Sequence, residues 1–328
     1  MWRLIVAFRL SKIIGLAVEL GIPEFLGRHP HTLAQLAADT RTHEPSLLRL
    51  LRAMVAMEVL AEDEAGRFSL TPLGEEMRHD RLGPLARFLD GTLEWEAWKH
   101  LDHSVRTGER AFDHVYGMRN WQYYAGHPSD AAIFDAAMQA LTGPVAEAVA
   151  TEYDFSGAKK VADVGGGDGT MLIAILRHHP HLGGVLFDRP DVVDRARDRF
   201  EDAGLVDRVE FAGGNFFEHV TEGADVYLMK SIIHDWDDEE SVAIIKRVRE
   251  AADHTSARLL LVERVLSERI GPDDIDAVLS DLNMLVNPGG RERTVSEYRG
   301  LLQRGGFQLE RTIRVSPEFF ILESSASL

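Results

Sequence analysis

No cysteine occurs in the 328 residues, which excludes disulfides, thiolate metal sites and cysteine nucleophiles, and leaves histidines, acids and hydroxyls to carry any chemistry. Basic residues are scarce beside acidic ones: 36 Lys and Arg against 53 Asp and Glu give a net charge of −17. Long-range repulsion at that charge argues against nucleic acid or an anionic membrane as partner, and favours a small neutral or cationic ligand. Uninterrupted apolar runs of the roughly 20 residues needed to span a bilayer are also missing. Residues 1–8 are apolar apart from Arg3, but Arg9 and Lys12 interrupt the run and no small-residue cleavage site follows, so they read as neither signal peptide nor anchor. A soluble, cytoplasmic protein is expected.

What is present begins with helical periodicity. Over 7–25 the apolar positions Ile13, Ile14, Leu16, Ala17, Leu20 and Ile22 recur at helical spacing up to Pro23. Two further helical stretches, 32–37 and 44–60, precede a segment, 60–70, that reads as a hairpin turning near Gly66. Helix, helix, hairpin is a winged-helix pattern, which raises the question of DNA. Among the first 90 residues, however, 11 are basic and 12 acidic, so there is no basic footprint. The would-be recognition helix carries Leu47, Leu48, Leu50, Leu51, Met54, Val55 and Met57 on more than one face, as a buried or partner-facing helix does. Residues 93–152 are helical or loop sequence dense in aromatics, among them Trp95, Trp98, Phe112, Tyr116, Trp121 and Phe134, which serve equally as core or as walls for a flat ligand.

Beyond Tyr153 short β-rich runs at 160–164, 184–188, 209–212, 225–230, 257–263, 307–315 and 319–323 alternate with helical ones, which implies a parallel sheet covered on both faces. The last two runs are separated by only Ser316-Pro317-Glu318, too short for a crossover, so the final strand must return antiparallel. The first run ends in Asp163-Val-Gly165-Gly-Gly167-Asp168-Gly169 and enters a helix at Thr170. Glycines there let a ligand approach the backbone at a helix N-terminus. A dinucleotide fingerprint would place its third glycine one residue later, at Thr170, and Asp163 and Asp168 would repel a pyrophosphate while suiting an ammonium and a sulfonium. Asp188 ends the second strand about 20 residues on, where an acid grips ribose hydroxyls; alternatively it caps the turn into Arg189-Pro190. After the third strand, Asn215 offers an amide for an adenine edge and Phe216 a ring for its face. Three successive strand ends thus suit methionine, ribose and adenine, which together describe S-adenosylmethionine.

These segments, with Lys230-Ser-Ile-Ile-His234-Asp-Trp236 and Asn287-Pro-Gly-Gly-Arg-Glu292-Arg-Thr294, resemble the plant-type small-molecule O-methyltransferases and their bacterial relatives in secondary metabolism, over nearly the whole chain. The resemblance implies an α/β fold: a Rossmann-like seven-stranded sheet with its last strand antiparallel, preceded by a mainly α winged-helix dimerisation domain. The expected divisions are 1–92 for dimerisation, 93–152 as a helical linker lining the substrate pocket, and 153–328 for cofactor binding and catalysis. His234 stands just past the fourth strand, where imidazole can take a phenolic proton. The resemblance implies that Glu263 and Glu292 flank it and that Lys230 reaches the cofactor's adenosine end, with Asp163, Gly165, Gly167, Asp188, Asn215 and Phe216 as further cofactor contacts. Asn215 departs from the family, which more often has an acid there. The acceptor is expected to touch Phe134, Met138, Met284 and Asn287.

Neither His178, His179 and His181 nor Asp237, Asp238 and Glu240 has metal-ligand spacing, and no metal is expected. The expected reaction is methylation of a hydroxyl, taken to be phenolic, on an aromatic secondary metabolite, with S-adenosylhomocysteine as co-product. Two other readings stay open: a relative that keeps the cofactor for hydroxylation, decarboxylation or pericyclic chemistry, and a winged-helix regulator or non-catalytic binding module. A homodimer through the N-terminal halves is expected, because the first helix starts almost at Met1 and exposes an apolar face.

Overall fold

A computed structural model describes residues 1–252 and 257–327, and its chain divides into two compact units. Residues Met1–Lys99 with Tyr124–Leu141 form the first, and His100–Tyr123 with Thr142–Leu328 the second. The segment 93–152 is mostly helical and is shared between them; its longest helix, Pro128–Glu152, begins in the first unit and ends in the second. Among the described residues no helix is long and apolar enough to cross a membrane.

In the first unit, strands β1 (His31–Thr32), β2 (Leu60–Glu62) and β3 (Arg67–Leu70) form a sheet of order β1-β3-β2. The hairpin of β2 and β3 turns at Gly66, whose φ of 70° needs glycine, and the Asp63 carboxylate accepts the Ala65 and Arg67 amides inside the turn. Helix Leu33–Thr40 starts in a capping box between Thr32 and Gln35. Helix Glu44–Ala56 buries Leu47, Leu51 and Met54, spaced at one turn, against Leu36, Ile22 and Phe68. The apolar run over 7–25 is two helices, Ala7–Glu19 and Ile22–Leu26, because Gly21 at φ 70° breaks it before Pro23. Trp2, Leu4, Ile5 and Phe8 stand exposed.

The second unit is built on β4 (Lys160–Val164), β5 (Gly183–Asp188), β6 (Val209–Gly213), β7 (Val226–Lys230), β8 (Arg258–Leu266), β9 (Arg293–Thr294), β10 (Phe307–Arg314) and β11 (Phe319–Ala326). Their order is β10-β11-β8-β7-β4-β5-β6, with β9 beside the end of β8. All neighbours from β8 to β6 are parallel, and β11 runs antiparallel to both β8 and β10. The seven strands expected from the sequence are therefore present with the reversed last strand. β8 continues three residues past the expected end because Val265 and Leu266 find a further partner in Arg293 and Thr294. Val161, Ala162 and Val164 are buried, as strands covered on both faces require, and helix Thr170–His178 buries six consecutive residues, Met171 to Leu176, against the sheet. Strand order reverses at β4, between β5 on one side and β7 on the other. Ligands of open parallel sheets bind at the carboxyl edge of such a switch point.

Candidate active site

At that edge β4 delivers Asp163, which is 1% exposed and whose Oδ2 has no hydrogen-bond partner. Burial, and then the neighbouring Asp188, push its pKa up to about 7. The following turn carries positive φ at Gly165, Gly167 and Gly169. At Gly165 a Cβ would lie 2.5 Å from Ile232 Cδ1, so only glycine fits both the backbone and the neighbour. The Gly165 amide donates to Phe187 O at 2.7 Å, and the Gly167 amide to Asp188 Oδ2 at 2.9 Å, which ties the loop to the end of β5. Asp188 also accepts the Arg189 amide at 2.7 Å, so the turn-capping role and a place beside the glycine loop coexist. Asp168 caps Thr170 and pairs with Arg199. The Phe216 ring lies 3.8 Å from the Cβ position of Gly165. Asn215 is exposed, and its amide is engaged in its own turn, accepting from the Phe217 amide and donating to Glu218. Gly165→Ala is expected to cost about 1–3 kcal/mol of stability through the forced positive φ, read as a lowered melting midpoint together with weakened cofactor binding in calorimetry.

His234 comes next along the edge. β7 ends at Lys230, Ser231 takes a left-handed φ of 52°, and a 3-10 turn over Ile233–Asp235 swings the imidazole inward. Glu263, fully buried on β8, holds this turn: its Oε1 accepts the Ile232 and Ile233 amides at 3.1 and 2.9 Å. Glu292 instead meets the ring, with Nδ1 to Oε1 at 2.9 Å, while Glu263 Oε2 stands 3.9 Å from the same nitrogen. Asp235 Oδ1 lies 3.5 Å from Nε2. Burial works to lower the imidazole pKa, but Glu292, Asp235 and Glu263 outweigh it and push it up to about 9. Burial likewise pushes Glu263 up to about 7, against the pull of His234.

Four residues that received no role from the sequence complete the arrangement. Arg293 has no exposed surface, and its guanidinium donates to Ile233 O at 3.0 Å, Trp236 O at 2.8 Å and Asp238 Oδ1 at 2.9 Å, so it grips the histidine turn by its carbonyls. Ser280 donates to Glu292 Oε1 at 2.7 Å, and Asp281 accepts the Glu292 amide at 2.9 Å, so helix Ile275–Val286 fixes the glutamate that meets the ring. Gly290 lets the chain press on the turn, since a Cβ there would lie 2.0 Å from His234 O. In sequence, Gly290 and Arg293 stood inside the Gly-Gly-Arg-Glu-Arg-Thr run; their partners lie more than fifty residues away, and no local pattern reveals them.

Of the remaining expected residues, Lys230 donates to Thr142 Oγ1 at 3.0 Å, and burial, then Arg264, lower its pKa to about 8. Met284 and Asn287 are buried on and just after the helix that carries Ser280, and Asn287 donates to Asn283 Oδ1. Phe134 stacks on Tyr124 within the first unit, and Met138 lies half-buried one turn further along the same helix. His178, His179 and His181 are each engaged separately, with Glu147, Ala150 O and Phe155 O. Asp237 caps the helix that follows it.

This geometry coincides with known families. Residues 98–308 match the family model of the O-methyltransferase domain, and residues 2–78 that of the O-methyltransferase dimerisation domain. The chain belongs to the O-methyltransferase family. It is an S-adenosylmethionine-dependent enzyme, 41% identical over 318 residues to O-demethylpuromycin-O-methyltransferase of Streptomyces alboniger, covering 94% of this chain and 82% of that one. The structure of the mitomycin 7-O-methyltransferase MmcR superposes with a TM-score of 0.89 at 37% identity, covering 99% and 96% of the two chains. An O-methyltransferase from neocarzinostatin biosynthesis, in complex with S-adenosylmethionine and 2-hydroxy-5-methyl naphthoic acid, superposes with 0.79 at 31% identity, covering 97% and 96%. The methyltransferase's own residues fit that cofactor: a buried carboxylate at Asp163 whose Oδ2 has no partner, a second acid at Asp188, and a glycine turn that a side chain would fill.

Proposed function

We propose that this methyltransferase methylates a phenolic hydroxyl on an aromatic secondary metabolite, with His234 as the general base. The observation that carries the reading is the 2.9 Å contact between His234 Nδ1 and a buried Glu292. A carboxylate accepting at Nδ1 holds the neutral ring in the tautomer whose lone pair is on Nε2, leaving that nitrogen for the acceptor's proton. When bound, S-adenosylmethionine supplies a methyl group on a sulfonium. The chain's residues do the rest. Asp163 and Asp188, with Gly165, Gly167, Asn215, Phe216 and Lys230, bind and orient the cofactor. His234 accepts the hydroxyl proton on Nε2 as the oxygen takes the methyl, and Glu292 stabilises the resulting imidazolium. Met284 and Asn287 contact the acceptor. The reaction asks nothing of a metal, because the donor is already activated and alignment supplies much of the rate. The dimerisation domain and its exposed Trp2, Leu4, Ile5 and Phe8 support a homodimer.

The test is incubation with methyl-labelled cofactor and a panel of aromatic phenols: label is expected in the product, and none on any phenol would overturn the assignment. pH supplies a second, independent prediction. An imidazole pushed up to about 9 is matched to a phenol near 10. It acts as a base only when unprotonated, so kcat/KM is expected to rise about tenfold per pH unit from 7 towards 9 and then level. A profile already flat at pH 7 would count against the base.

A further inference from the structure

We infer that His234, Glu263 and Glu292 also form a binding site for one divalent cation of the zinc class, and that its occupancy blocks methyl transfer; the blocking rests on the base assignment, the binding does not. One ligand atom from each of the three residues lies within 4.8 Å of the others, in a buried setting, and this is the one such group found among the described residues. Nδ1 of His234 stands 2.9 Å from Glu292 Oε1 and 3.9 Å from Glu263 Oε2. Zinc bonds of about 2.0–2.1 Å in tetrahedral geometry put ligand atoms about 3.3 Å apart, midway between those separations. Those two separations need shifts of about half an ångström to match it, and the two carboxylate oxygens start within 4.8 Å of each other.

The carboxylates are prepared for it. Glu263 uses Oε1 on two backbone amides, and its buried Oε2 has no hydrogen-bond partner; Glu292 Oε1 is held by Ser280, and its buried Oε2 has none either. Asp235 Oδ1 lies 3.5 Å from Nε2, at ion-pair distance from the nitrogen that stays protonated when Nδ1 binds the ion. Three protein ligands with an imidazole among them suit zinc, cobalt or their neighbours; magnesium and calcium ask for six or more oxygens. Coordination replaces the Nδ1 proton, which leaves to solvent, and puts the ring's remaining proton on Nε2 facing Asp235. The lone pair that would accept a hydroxyl proton is then gone.

Cobalt(II) added to the full-length, cofactor-free protein is expected to give the intense visible bands of a four-coordinate ion at one equivalent, bleached stoichiometrically by zinc. Glu263→Gln and Glu292→Gln should each weaken binding roughly tenfold or more, whereas His178→Asn, at the separate histidine cluster, should leave it unchanged. Cofactor affinity measured on the same variants verifies that they are folded. The absence of zinc-sensitive bands, or bands that survive in folded Glu292→Gln, overturns the inference. Bands in the wild type alongside undiminished methylation by a folded His234→Asn would keep the metal site and discard the base; loss of methylation in that variant without bands in the wild type would do the reverse.

Discussion

Replacing His234 by asparagine is expected to lower kcat by about 10²–10⁴-fold with the cofactor's dissociation constant essentially unchanged. Asparagine keeps a donor where Nδ1 stands, so Glu292 is not left alone in a buried setting, and the loss reports the base rather than the fold. Glu292→Gln should approach the same loss by another route. A glutamine can present its amide N–H to Nδ1, which favours the tautomer with its proton on Nε2 and abolishes the acceptor there. Without that negative charge the imidazole pKa also falls, because Glu292 is the foremost of the groups that raise it, so any residual activity should appear at lower pH. Glu263→Gln is expected to be milder in rate: its main contact is Oε1 with the Ile232 and Ile233 amides, which an amide oxygen can reproduce. Single-turnover rates with labelled cofactor separate the three variants. Equal losses in both glutamine variants would refute the division of labour between the two acids. Stability should move opposite to rate. A histidine whose folded pKa is raised contributes stability that is full below its unfolded value of about 6.5 and is lost as pH rises through about 9. The pH window in which the base becomes available is therefore the one in which its ion pair ceases to stabilise the fold.

The parts legible in sequence were those written in short-range patterns. The apolar runs located β4, β5, β7 and β8 because parallel strands covered on both faces need continuous burial, and Gly66 located the first unit's hairpin because the turn needs its positive φ. His234, Glu263 and Glu292 could be singled out because each follows or ends a strand at the sheet's carboxyl edge or lies in a recognisable run. What was hidden depends on long-range closure. Nothing near residue 293 shows that its guanidinium is buried, since an arginine beside Arg291 and Glu292 reads as solvated surface. Its acceptors are carbonyls, which have no sequence signature. The unequal geometry of the two glutamates was hidden for the same reason: one faces backbone amides and the other a ring, a difference set by the register of β8 and the placing of helix Ile275–Val286. Asn215 was read for its amide chemistry alone, and the nearby Glu218, which engages that amide, went unweighed.

Arg293 carries the second large expectation. Arg293→Met should destabilise the second unit by about 3–5 kcal/mol, on the order of a 10 °C fall in melting midpoint. The methionine fills much of the volume, but it takes from Ile233 O and Trp236 O their shorter donor, leaving the 3.3 and 3.4 Å contacts of the Ser241 hydroxyl, and leaves Asp238 to Arg291 alone. Arg293→Lys is the more informative variant. A single ammonium cannot reach two carbonyls and a carboxylate that the planar fork spans together, so charge is kept while the 3-10 turn loses its fixed position. Because a misplacement of about 1 Å can cost about 10²-fold, folded Arg293→Lys should lose kcat steeply and cofactor affinity little. If Arg293 only stabilises the fold, Arg293→Lys will keep wild-type kcat at temperatures where it is fully folded. If it positions the histidine, the deficit will persist there, and the pH profile will change shape as the spacing from Nδ1 to Glu292 relaxes.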